Sequence, residues 1–157
     1  MSRRTDYFDD PNAPKANSIV PAVTAFVVND AGDVLMERRS DNGRWGMPGG
    51  AQDIGENIAG TVVREVLEET GILVEVVGLV GIFTDPGHVI AFADGEVRQE
   101  FSLCFRARPV SGEIKVSSES LEVRWIPRAE IESLDVSPTT RRRLMEGLRD
   151  SPLPLIS

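Results

Sequence analysis

The chain has 157 residues, 41% hydrophobic and 27% charged, a balance that fits one globular domain with a real core. A net charge of −8 and a pI of about 4.7 exclude an extended nucleic-acid surface, which needs an excess of Lys and Arg, but they do not exclude a small anionic ligand held through a divalent metal. No apolar run reaches the length of a membrane span, the polar start has no signal-peptide core, and the single cysteine, Cys104 in FSLCF, has no partner for a disulfide. A cytoplasmic domain with Cys104 in its core is therefore expected.

In chain order, residues 1–18 read as an irregular arm, because Pro11 and Pro14 interrupt any helix. Residues 19–150 carry the domain, and 151–157 read as a tail. AVTAFVVND (22–30) is expected as a strand, paired in a hairpin with VLMERR (34–39) across Ala31-Gly32-Asp33. SDNGRWGMPGG (40–50) is a glycine-dense loop, and 57–70 has helical periodicity. The β-branched run 73–85 reads as a strand. HVIAFA (88–93) and 96–110 form a second hairpin around Asp94-Gly95, a pair that favours tight reversal. LEVRWI (121–126) alternates as a strand, and two short helices follow, from Pro127 to Ser133 and from Pro138 to Arg149, proline suiting a first helical turn. Arg141–Arg143 reads as a solvated face rather than a phosphate site. The economical assembly is a mixed sheet with helices on its faces.

The helix at 57–70 raises the functional question. Ile58, Ala59, Val62, Val63, Val66 and Leu67 fall on one half of its wheel, and Glu65, Glu68 and Glu69 on the other. Like charges at such spacing repel, and these sit toward the helix C-terminus, where the macrodipole disfavours them by a further ~0.3–1 kcal/mol. Glu56 and a glycine-rich loop, PGGAQDIGE (48–56), precede them. Clustered carboxylates next to a tight backbone turn are the hard oxygen donors that Mg2+ and Mn2+ prefer, and Mg2+ so held shares its remaining positions with water and phosphates.

From Gly50 to Ile72 the spacing is Gly50, five residues, Glu56, seven residues, Arg64-Glu65, aliphatic Val66, one free position, Glu68-Glu69, one free position, Gly71 and aliphatic Ile72. With the lead-in WGMPGG (45–50), this resembles the Nudix box in every slot. The resemblance implies an α/β/α sandwich with a mixed β-sheet between helices, and a hydrolase of a nucleoside diphosphate linked to some other group X. It implies that Glu65, Glu68 and Glu69 hold Mg2+ or Mn2+, with Glu56 in support, the carbonyl near Gly49 or Gly50 completing the shell, and Arg64 orienting a box glutamate by ion pairing. The general base varies within the family: Glu65 is the candidate inside the box, and outside it Glu119 comes first, Glu122 second and Glu100 third. For substrate contact, Arg38 or Arg39 can reach phosphate, Trp45 and Phe83 can stack on a base or pack in the core, and His88 is a base, a substrate contact or an ordinary loop histidine. The substrate is a small-molecule nucleotide: a nucleoside triphosphate, ADP-ribose or a dinucleoside polyphosphate. The rival reading is a nucleotide-sensing domain that keeps the fold without hydrolysis, against which the full set of box acids argues. The arm and the apolar strands offer surface on which a homodimer can form.

Overall fold

The computed structural model describes residues 4–157. The elements are β1 (Arg4–Phe8), β2 (Ser18–Ile19), β3 (Ala22–Val27), β4 (Val34–Arg39), β5 (Trp45–Gly46), β6 (Gly49–Ala51), α1 (Ile58–Thr70), β7 (Ile72–Phe83), β8 (His88–Phe92), β9 (Val97–Gln99), β10 (Ser102–Gly112), β11 (Ser120–Ile126), a 3-10 segment (Arg128–Ser133), α2 (Pro138–Arg149) and β12 (Leu155–Ile156). No helix among the described residues is long and apolar enough to cross a membrane.

The strands form three sheets, ordered β12-β7-β10-β3-β6, β1-β8-β9-β2 and β11-β4-β5. The first is mixed: β10 runs parallel to β3 and antiparallel to β7. Its two faces carry the two cores. On one, Val62 and Val66 of α1 pack with Val23, Val27, Val74 and Ala107. On the other, Leu144 of α2 and Ile131 pack with Phe26, Val80, Phe83 and Cys104. This is the expected sandwich, with Cys104 buried and unpaired.

Local chemistry sets the helix limits. Asn57 caps α1, accepting a hydrogen bond from the Gly60 N–H at 2.8 Å, and Gly71 ends it in the left-handed region at φ 80°. Ser137 caps α2 by accepting from the Thr140 N–H, and Pro138 takes the first turn.

Several sequence expectations are corrected. The hairpin 22–30/34–39 does not form: after one bridge between Val28 and Val34, β3 and β4 enter different sheets. Val23 and Val27 are buried on one face of β3 and Phe26 on the other, so the strand belongs inside a sheet, between β10 and β6. The run 96–110 divides at Glu100-Phe101; β9 pairs with β8 as the predicted hairpin, while β10 crosses to the central sheet. The arm is not irregular throughout, because β1 pairs antiparallel with β8 of its own chain and forms the edge of that sheet. The tail holds β12, parallel to β7, and the Thr84 hydroxyl donates to the Ser157 carbonyl at 2.6 Å. Of Arg141–Arg143 only Arg142 is exposed as a solvated face requires. Arg141 donates to the carbonyls of Ile131 and Leu134, Arg143 is buried, and the Arg142 guanidinium lies 5.7 Å from the centre of the Phe83 ring.

Gly147 marks where α2 meets the sheet. A Cβ there would lie 2.6 Å from the Phe26 ring, so the helix can approach only without a side chain. Gly147→Ala is expected to lower stability by about 1–3 kcal/mol despite alanine's better helix propensity, read as a lower urea midpoint with unchanged slope. An unchanged midpoint would refute this packing.

Candidate active site

The central sheet's edge strand β6 brings the glycine loop against α1. The Gly49 N–H donates to Glu69 Oε2 at 3.0 Å, and a Cβ on Gly50 would lie 2.5 Å from the Glu65 carboxylate. Any residue but glycine at 50 would push Glu65 away. Close backbone approach, rather than an unusual φ, is what position 50 requires.

Arg64 organises the acids. Its Nε and Nη2 donate to Glu56 at 2.5 and 2.9 Å, its Nη1 to Glu65 at 2.8 Å and to Glu68 at 3.3 Å, and its Nη2 also reaches the Ala51 carbonyl at 3.2 Å. Asp53 stands 3.4 Å away. This guanidinium, with the Asp53 N–H, holds the Glu56 pKa down to about 2. Glu56 also accepts from the Thr61 hydroxyl, so its carboxylate is spent on fixing Arg64 and the loop. Glu65, by contrast, has its pKa raised, burial outweighing Arg64. Glu68 is the open member, its side chain 60% exposed.

Glu69 departs from the sequence reading. It is only 9% exposed, not on an outer face, because it continues the stripe Val62, Val66, Glu69 at i, i+4, i+7. It meets an acid that the sequence analysis did not select, Glu37 of β4, which is equally buried and accepts from the Ser120 hydroxyl at 3.2 Å. The two carboxyls hydrogen-bond to each other. Burial and their mutual repulsion raise the pKa of Glu69 to about 10, and burial raises that of Glu37 to about 7, so the pair shares a proton. The signal for Glu37 lay in VLMERR, where Val34, Leu35 and Met36 are all buried and the next residue continues their strand. Among the described residues no group of acids, His or Cys forms a ready-made metal cage; Arg64 and the shared proton satisfy the acids instead.

Glu37, Glu65, Glu68, Glu69 and Gly50 line one cleft of about 1110 Å3, together with Arg39, Trp45, Glu119 and His88. Arg39 is held in place by Asp41. Trp45 is half-buried, with the Arg124 guanidinium 5.9 Å from its ring centre. Glu119 is exposed on a loop whose carbonyl accepts from Ser40. Three candidates leave the site. Phe83 is 2% exposed in the core and not on the cleft, Glu122 pairs with Arg38 at 3.6 Å, and Arg38 is thereby turned from the cleft.

Glu100 and His88 are neither a free base nor a loop residue. His88 is buried at the start of β8, with Nδ1 3.1 Å from Glu100 and Nε2 2.9 Å from Asp6. Glu100 also accepts from Arg143 at 2.6 Å. Burial lowers the His88 pKa, but the two carboxylates outweigh it and hold it above the ordinary value.

A NUDIX domain model matches residues 19–148. The chain belongs to the Nudix hydrolase family. It is 36% identical over 122 residues to a MutT-like protein of Streptomyces ambofaciens, covering 78% of this chain and 71% of that one. It is 34% identical over 116 residues to an 8-oxo-dGDP phosphatase of Mus musculus, covering 69% of this chain but only 32% of that protein. In fold it is similar to the MutT protein of Methanosarcina mazei Go1, with a TM-score of 0.68 at 24% identity over 89% of this chain and all of that one. The matched range takes in α1, its glycine loop and Glu37 of β4 alike.

The Glu37–Glu69 pair gives metal-free stability a definite pH slope. Both carboxyls titrate above their unfolded range, so the stabilising protonated pair is complete at low pH and lost as pH rises through about 7 and then about 10. Glu37→Gln keeps the hydrogen bond and removes one titration. In chelator, the wild-type thermal midpoint is expected to fall between about pH 5 and about pH 8 by more than that of the variant, roughly 2–4 °C for each kcal/mol of difference. Parallel curves would contradict the shared proton.

Proposed function

We propose that this chain is a metal-dependent pyrophosphatase that hydrolyses the phosphoanhydride linkage of a nucleoside diphosphate linked to X, a nucleoside triphosphate or an ADP-ribose-like compound, by attack of water at phosphorus. The observation that carries this reading is the convergence of Glu65, Glu68 and Glu69 with Gly50 on one wall of a cleft large enough for a nucleotide, with Arg64 behind them. The donor set fits Mg2+ or Mn2+: every group is a hard oxygen, and the carboxylates outnumber the one guanidinium that answers them. Glu65, Glu68, Glu69 and the Gly50 carbonyl would hold the ion. When bound, a divalent cation supplies charge neutralisation of the diphosphate and lowers the pKa of water.

The rest follows from the chain's own residues. Arg64, fixed by Glu56, Thr61 and the Ala51 carbonyl, sets the rotamers of Glu65 and Glu68. Positioning of this kind is most of what phosphoryl transfer asks of a protein. Glu65, its proton affinity raised by burial, suits the role of base; Glu119, on its exposed loop, is the alternative that substrate can draw in. Arg39 can take phosphate oxygens, and Trp45 offers a flat apolar contact. Phe83 has no part.

Glu68→Gln and Glu69→Gln should each lower kcat roughly a hundredfold or more with Mg2+ or Mn2+. The thermal midpoint should be preserved, because Glu68 is exposed and a Gln at 69 can still donate to Glu37. Near-normal turnover in both variants would end this reading.

A further inference from the structure

Three residues that line the cleft each hold a side-chain polar atom buried without a hydrogen-bond partner: Thr24 Oγ1, Ser102 Oγ and Arg143 Nε. Ser102 is 4% exposed and Arg143 8%. Buried donors are almost always paired, because an unpaired one forfeits its hydration for nothing. Three on residues of one cleft make a ligand seated there the partner at hand. Their place is fixed by register: Ala51, Ala22 and Ser102 lie side by side on β6, β3 and β10. Strands spaced about 4.8 Å apart put Ser102 on the order of 10 Å across the sheet from the glycine loop, the span of a nucleoside from phosphate to base.

The chemistry of the missing group follows from what is already satisfied. Glu100 accepts from Arg143, His88 and the Asp85 N–H, and Asp6 accepts from His88 and twice from Arg4. Neither carboxylate needs a further donor. The Arg143 charge is paired with Glu100, so a second anion is not called for. The open groups are one N–H donor, which can only donate, and two hydroxyls, which can do either. They fit a neutral acceptor, and an amino group facing Arg143 Nε would set donor against donor.

We propose that Thr24, Ser102 and Arg143 form a nucleobase subsite that selects a base presenting a keto oxygen over one presenting an amino group at that edge. This rests on the nucleotide-hydrolase reading for its connection to catalysis, but not for binding. The test compares inosine with adenosine compounds, which differ at that edge: kcat/KM for the two triphosphates with Mg2+, and calorimetric Kd for the two monophosphates on the metal-free protein. The wild type should favour inosine by about tenfold or more in both measurements. Ser102→Ala and Arg143→Lys, the second keeping a positive charge for Glu100, should each raise KM and Kd for inosine compounds about tenfold, leave kcat and the adenosine values within about twofold, and so erase the preference. Ser102→Ala removes only an unpaired hydroxyl and should melt no lower than wild type, so it carries the test even if Arg143→Lys fails to fold. No preference in the wild type, or equal losses on both bases, would overturn the subsite and leave the hydrolase reading standing. Inosine monophosphate binding that depends on Ser102, in a protein that hydrolyses neither triphosphate, would do the reverse.

Discussion

One guanidinium governs the acidic end of this molecule. Arg64 reaches Glu56, Glu65 and Glu68 through three nitrogens and closes on the Ala51 carbonyl, so a planar fork with fixed donor directions determines where three carboxylates stand. A lysine could supply the charge but not these angles. Because Glu56 belongs to the loop and the others to α1, the same fork locks the loop to the helix. The glycines at 49 and 50 then let the edge strand come close enough for Glu69 to take a backbone N–H and for Glu65 to lie over Gly50.

Arg64 cannot satisfy every acid. Glu69 lies on the buried stripe of α1, where it meets Glu37 across from another sheet, and the two settle their repulsion by sharing a proton. The cluster therefore has two compensations in the metal-free chain, a permanent one in Arg64 and an exchangeable one in the proton. Carboxylates in excess of one guanidinium, with Glu68 open on the cleft, are the physical reason to read the cluster as a cation site rather than as a structural ion-pair network.

The Nudix box, the helix at 57–70 and the turn of the second hairpin were legible because each depends on spacing within a few residues, and the sandwich came with the family resemblance. What was not legible depends on partners far along the chain. VLMERR reads as a hairpin strand, and only the three-sheet topology shows that Glu37 opposes Glu69. Arg143 looks like one of three surface arginines until Glu100 is seen beneath it, and Glu100 is why the run 96–110 breaks where it does: the chain turns there to bury a carboxylate among His88, Arg143 and the Asp85 N–H. The β1 strand is equally non-local, since its register with β8 is what brings Asp6 to His88. For Phe83 the sequence left base stacking and core packing both open, and the structure puts it in the core.

The two polar regions of the cleft differ in what they leave unsettled. Around α1 the deficit is of positive charge, with more carboxylates than Arg64 can answer. Around β10 and α2 the charges close on themselves in the chain Arg4, Asp6, His88, Glu100, Arg143, and the deficit is only of hydrogen-bond acceptors. A ligand that carries cation-bound phosphates at one end and a neutral ring at the other can satisfy both, and it can do so in one orientation only. Reversing it would place phosphates against the paired Glu100 and a ring edge against bare carboxylates. Such a ligand would be oriented by the contrast between an uncompensated and a compensated electrostatic region, and that contrast is built from residues on separate elements that only the fold brings together.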